Sequence, residues 1–207
     1  MILTHGANSI KRDITSVEIG GRRYPVVKIG NQLWMAENLD YADENITVGG
    51  GLSTSIPKAY YYDQDEVTNG WNGRKNNLLY NVPAMYYLVQ NSSTIFPDGW
   101  HVPSNSDIES LIEFAGGASV AGIKLSKGNL DWQSVSWNGT DDFGFSWLPS
   151  GTRYASDGGF HDIGEEAALY TSNNRMYYTL GGDGVILFST EYGPASSVSI
   201  RLVKNVT

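Results

Sequence analysis

The chain has 207 residues, which predicts a single domain able to bury roughly 70% of its unfolded surface. Its 14 Lys and Arg against 22 Asp and Glu give a formal net charge of −8, so it carries no basic footprint for nucleic-acid phosphates or anionic lipid. The absence of cysteine excludes disulfides, thiolate metal sites and cysteine nucleophiles.

Residues 1–16 show no period and form an N-terminal arm in this reading, with 17–207 as the domain. The arm has no basic stretch followed by an apolar one, so it does not resemble a signal peptide. Val17-Glu18-Ile19 and Tyr24 to Ile29 flank Gly20-Gly21, a favoured hairpin turn. A turn at Gly30-Asn31 leads to a short strand, Gln32 to Met35, and residues 41–58 read as a loop. Pro83 at a first helical position, followed by Met85, Tyr86, Leu88 and Val89, predicts one short helix. Ser104, with Asp107 three residues on, caps a second, whose Ile108, Leu111, Ile112 and Ala115 form one stripe. Gly116-Gly117 ends it. Beyond residue 130 come short aromatic strands at 177–180, 185–188 and 198–203, the last placing Val198, Ile200 and Leu202 on one face. Two early helices and late antiparallel hairpins make an α+β domain.

No set of residues assembles an active site. The three histidines, His5, His101 and His161, lie in unrelated contexts without metal-ligand spacing, and no cofactor is implied. Gly144 to Leu148 lacks the final glycine of a nucleophile elbow at Ser146, and Gly117 to Lys124 fails as a phosphate loop. Asp63-Gln64-Asp65-Glu66 lacks the later ligands of a calcium loop. Asp141-Asp142 is expected to fix a turn, and Glu165-Glu166 to be surface charge.

Four strings carry a family resemblance. They are Val27-Lys28-Ile29-Gly30-Asn31-Gln32-Leu33-Trp34-Met35-Ala36-Glu37-Asn38-Leu39; Phe96-Pro97-Asp98-Gly99-Trp100-His101-Val102-Pro103-Ser104; Asn138 to Ser146 with Leu148-Pro149-Ser150-Gly151; and Ser199-Ile200-Arg201-Leu202-Val203-Lys204. In this order, over residues 18–204, they resemble the Fibrobacter succinogenes major paralogous domain family. The resemblance implies a C-type-lectin-like fold related to the formylglycine-generating-enzyme group. It makes Trp34, Trp100 and Trp147 core aromatics. The family's two cysteines fall at Phe96 and Leu202, so a bridge is expected to have become a hydrophobic contact. Formylglycine-generating chemistry needs cysteine and is excluded. Trp71-Asn72-Gly73 and Trp137-Asn138-Gly139 depart from the calcium-dependent sugar-binding motif of lectins.

The domain also resembles variable proteins of diversity-generating retroelements, whose variable residues precede a constant terminal strand. On that resemblance the ligand-binding residues would be Arg153, Tyr154, Ser156, His161, Asp162, Tyr170, Asn173, Asn174, Tyr177, Ser189 and Tyr192. Such residue types form adaptable recognition surfaces, and Tyr154, Tyr170 and Tyr177 are expected to serve there without supporting the fold. The expectation is a non-enzymatic module binding a protein or glycan receptor, without membrane insertion, on a phage tail tip or bacterial surface. The rivals are a carbohydrate-active enzyme using Asp162, Glu165 or Glu166, and a structural assembly protein whose arm drives homo-oligomerisation.

Overall fold

The computed structural model describes residues 15–62, 78–128, 139–180, 184, 186–189 and 193–206. In chain order the strands and helices are β1 (Thr15–Ile19), β2 (Arg22–Ile29), β3 (Gln32–Met35), β4 (Thr47–Val48), β5 (Lys58–Tyr61), β6 (Leu78–Asn81), α1 (Val82–Gln90), α2 (Ser92–Ile95), α3 (Asn105–Phe114) and α4 (Ala118–Leu125). The second half adds β7 (Ser150–Arg153), β8 (Phe160–Ile163), β9 (Glu166–Tyr170), β10 (Met176–Leu180), β11 (Ile186–Ser189), β12 (Ser197–Val198) and β13 (Val203–Asn205). The fold is mixed α+β, with four helices among the described residues where two were expected. No helix among those residues is long and apolar enough to cross a membrane.

Local chemistry explains the early elements. Gly20 and Gly21 sit at φ 56° and 79°, and Ile19 faces Arg22 across the hairpin. Only glycine adopts two such angles in succession without a steric cost. That strand begins at Thr15, so the expected arm boundary after residue 16 falls inside β1. Helix α1 is capped by Asn81, whose side chain accepts the Ala84 N–H, and Pro83 takes the second helical position after Val82, not the first. Helix α3 has the expected capping box between Ser104 and Asp107 and buries Ile108 and Leu111.

The sequence from Gly117 to Lys124 that mimics a phosphate loop is helix α4. Its Gly122 donates its N–H to the Gly184 carbonyl at 2.8 Å, and a Cβ there would lie 2.2 Å from that oxygen. Gly122→Ala should therefore push α4 off the Gly184 backbone and destabilise the protein by about 1–3 kcal/mol, read from urea midpoints. An unchanged midpoint would mean that the helix can shift freely.

Among the described residues three sheets form, with strand orders β1-β2-β3-β13, β11-β10-β9 and β4-β5-β6-β12-β7-β8, and β4–β5 is the one parallel pair of these strands. The terminal segment stitches them together. The strand expected over 198–203 is split into β12, which joins the six-stranded sheet, and β13, which joins the four-stranded one. Between them the Ser199 carbonyl accepts from Tyr170 on β9, and those of Ile200 and Leu202 accept from Leu39 and Met35. Val198, Ile200 and Leu202 enter one core with Met35, Tyr80, Leu88 and Trp100. The next residue, Val203, enters a second core with Trp34, Leu125, Phe145 and Trp147. Both faces of this segment are buried, where alternation predicted one.

Phe96 and Leu202 are 5% and 0% exposed and belong to the same core. Phe96 also borders a surface groove with Ser92, Pro97 and Trp100, so its site can partly relax or take up water. Phe96→Ala should accordingly cost about 3 kcal/mol, the low end for a buried aromatic, as a shifted denaturation midpoint. A loss well below 1 kcal/mol would remove Phe96 from the core's essential contacts.

Candidate functional site

The β7–β8 hairpin gathers several of the expected binding residues. Arg153 lies opposite Phe160, and Thr152 opposite His161, so Arg153 and Phe160 share one face. The connecting turn is held by Tyr154 N–H donating to the Gly159 carbonyl at 3.0 Å and Gly158 N–H to the Tyr154 carbonyl at 3.0 Å. The Tyr154 ring stacks on His161 at 4.6 Å, and its hydroxyl donates to Asp162 Oδ2 at 2.7 Å. Burial, then the Asp162 carboxylate, raises the Tyr154 pKa. His161 Nε2 bonds Asp157 Oδ2 at 3.0 Å, and Asp157 also accepts from the Gly159 N–H. That backbone bond, followed by the imidazole, lowers the Asp157 carboxyl pKa. Ser156 is exposed on the same turn.

Across the sheet the hairpin meets β5. The Arg153 guanidinium lies 4.0 Å from the Tyr60 ring centroid and 5.1 Å from that of Phe160. Its Nε donates to the Gly158 carbonyl at 2.9 Å and its Nη1 to that of Gly50 at 3.3 Å. Lys58 Nζ donates to the adjacent Gly49 carbonyl at 3.3 Å. The rings of Tyr62 and Phe160 are 4.9 Å apart. Together Gly49, Gly50, Tyr60, Tyr61, Tyr62, Arg153 and Phe160 line an open groove of about 350 Å³. Sequence reasoning missed every member from residues 49–62, because the segment up to 58 reads as loop. The run Lys58-Ala59-Tyr60-Tyr61-Tyr62 was the available signal.

The other expected residues lie elsewhere. Asn173 and Asn174 occupy the β9–β10 turn, Asn174 at φ 56°. Asn173 accepts from the Asn105 N–H at the start of α3. Tyr177 is 3% exposed, its hydroxyl donating to Glu109 at 2.9 Å, and its ring lies 6.0 Å from Phe188. Ser189 ends the neighbouring strand β11. Tyr170 is fully buried, donates to the Ser196 carbonyl and has its pKa raised by burial. Tyr170 and Tyr177 are thus core residues, contrary to expectation, because β9 and β10 pack both faces against neighbouring elements. Tyr192 lies outside the described residues, as do Asp63 to Glu66, Trp71 and Trp137.

The carboxylates also divide. Glu165 is exposed, but Glu166 is 4% exposed and its Oε1 has no hydrogen-bond partner, which corrects its reading as surface charge. Burial, and then the Asp162 charge, pushes its pKa up to about 7. Asp141 fixes its turn as expected, accepting from both the N–H and the hydroxyl of Ser146. This hydroxyl therefore faces a carboxylate and no imidazole. His101 pairs with Asp107 at 3.2 Å, and that hydrogen bond raises the His101 pKa. Burial raises the Asp107 pKa, but bonds from His101, Ser104 and Asn205 outweigh it and hold the carboxyl well below the usual range. This cluster ties α3 to β13. Among the described residues no group of three His, Asp or Glu could hold a metal ion.

The family model described as the Fibrobacter succinogenes major domain matches residues 27–204. No curated protein and no solved structure matches the chain.

Proposed function

The chain belongs to the Fibrobacter succinogenes major domain family, and from that premise we propose that it is a non-enzymatic binding module of C-type-lectin-like fold. The observation that carries this reading is the aromatic groove between β5 and the β7–β8 hairpin. Of the expected binding residues Arg153 lines it, beside exposed aromatic surface, while Tyr154, Ser156, His161 and Asp162 sit on the same hairpin outside that lining. A concave, partly apolar site with a few fixed polar groups is how small ligands are held. The module would be displayed on a phage tail tip or a bacterial surface and would engage a protein or glycan receptor. Its hairpin residues would correspond to the variable positions of retroelement-diversified proteins.

A glycan-cleaving enzyme is the rival reading, and the raised pKa of Glu166 beside Asp162 favours it. However, Glu166 faces the core, and neither it nor Glu165 lines the groove. General acid catalysis requires a carboxyl within hydrogen-bond reach of the substrate.

Fluorescently labelled protein applied to a glycan array and to bacterial cells tests the proposal. The variant Phe160→Ala, in the wall of the groove, should lose about tenfold or more in apparent affinity. Phe160 is only partly buried, so the melting temperature should move little. Undiminished binding by that variant and by the double variant Tyr154→Ala, His161→Ala would remove the hairpin from the site.

A further inference from the structure

We infer that the groove takes an acidic sugar, with Lys58 and Arg153 receiving its carboxylate or sulfate and the Tyr62–Phe160 wall receiving its ring. This rests on the binding-module reading and names the ligand class of the same site.

Two cations converge on one turn. Lys58 and Arg153 donate to consecutive carbonyls, those of Gly49 and Gly50, each at 3.3 Å. The two side chains are held by backbone oxygens and aromatic rings, which orient a cation without neutralising it. Arg22 and Arg175, by contrast, meet carboxylates, Arg22 with Glu37 at 3.0 Å and Arg175 with Glu109 at 3.5 Å. A guanidinium has five N–H donors and an ammonium three; among the described residues three of these eight donate to backbone carbonyls, which leaves donors of Arg153 in the groove and of Lys58 at its Gly49-Gly50 rim for a ligand.

The backbone keeps this charge accessible. Gly50 adopts φ 78°, and a Cβ on it would lie 3.2 Å from Lys58 Nζ. Glycine therefore lets the turn lie directly against the ammonium. In a chain of net charge −8, an acidic ligand is repelled at long range, so attraction has to come from such a local concentration of positive charge.

The aromatic wall selects the rest of the ligand. Tyr62 and Phe160, 4.9 Å apart, line the groove with Arg153 and are both partly exposed. An apolar ring face beside a charge-assisted donor set suits a molecule with one apolar face and one anionic substituent. A pyranose bearing a carboxylate or sulfate has that form. The groove's volume, about 350 Å³, falls in the small-ligand range.

Titration calorimetry on the full chain tests this with tri-galacturonate for the carboxylate, a sulfated heparin disaccharide for the sulfate, neutral galactotriose, and inorganic phosphate. At least one acidic sugar should bind about tenfold tighter than galactotriose and tighter than phosphate, with affinity falling as salt rises. Arg153→Gln and Lys58→Gln should each remove that preference, while Arg175→Gln at the distant hairpin should leave it intact. Should Arg153→Gln unfold, Lys58→Gln carries the test alone, since among the described residues its side chain makes a single hydrogen bond. Galactotriose binding as tightly as the acids, with loss on Phe160→Ala, would overturn the acidic preference and leave the groove as a sugar site. Phosphate matching the acidic sugars would reduce the site to a simple anion site and overturn the inference. Acidic sugars binding undiminished to both Gln variants, or no acidic probe binding at all, would also overturn it.

Discussion

Arg201→Ala should remove about 4–5 kcal/mol of stability, enough to leave a typical domain near its unfolding threshold. The side chain is fully buried in the segment between β12 and β13. Its Nε and Nη2 donate to Asn38 Oδ1 at 3.1 and 2.7 Å, its Nη1 donates to the Phe145 carbonyl, and the guanidinium lies 4.4 Å from the Phe145 ring. Burial pulls its pKa down to about 9, so the group still carries its charge at neutral pH. Truncation would open a cavity and strand the Asn38 and Phe145 oxygens, each a buried acceptor worth about 1–3 kcal/mol when left unpaired. Arg201→Lys keeps the charge but not the planar fork, so it should recover only part of the loss. Urea denaturation of the three proteins checks the order wild type, Lys, Ala. An alanine variant as stable as wild type would show that the buried charge costs as much as its hydrogen bonds return.

The elements legible in the sequence are those settled within a few residues. Gly20-Gly21 and the Ser104–Asp107 box act through their own backbone, so their chemistry can be read without knowing what surrounds them. Helix α4 was illegible for the opposite reason. Ala118 to Leu125 includes β-branched Val120 and Ile123 and an interior glycine, a poor intrinsic helix. Gly122 is there because the Gly184 backbone comes within 2.8 Å, a tertiary fact. The split of the terminal strand has the same cause. Alternation identifies two faces, but it cannot say that separate cores lie against both.

The site divides along the same line. Arg153, Tyr154, His161 and Asp162 were legible by residue type in the segment before the terminal strand, whereas the β7–β8 hairpin that joins them carried no strong strand pattern. Tyr60 and the Gly49-Gly50 turn, to whose Gly49 carbonyl Lys58 donates, reach the groove through the pairings β4–β5, β5–β6, β6–β12 and β12–β7. Those contacts span about half the chain and leave no local mark. Tyr170 and Tyr177 resemble Tyr154 in composition, and only their position between packed strands makes them core.

Glu166→Gln should stabilise the protein at pH 8 by roughly 3 kcal/mol and change little near pH 4. The folded-state pKa of about 7 lies above the ordinary 4.5, because burial and the nearby Asp162 charge disfavour the carboxylate. The folded state therefore prefers the protonated acid. Its contribution to stability is complete below about pH 4.5 and is lost as the pH rises through about 7. A tenfold difference in proton affinity between the folded and unfolded chain is worth about 1.4 kcal/mol, which sets the size of the loss above that window. Glutamine has the same shape and never ionises, so the variant should lack this pH-dependent loss. Asp162→Asn would remove one cause of the raised pKa and should end the wild-type loss at lower pH. Thermal melts of the three proteins from pH 4 to pH 8 decide the matter; curves of wild type and Glu166→Gln that run parallel would mean the carboxylate gains water or a cation when it ionises. Because Asp162 also accepts the Tyr154 hydroxyl, ionisation at Glu166 acts on the same carboxylate that positions the groove-side hairpin.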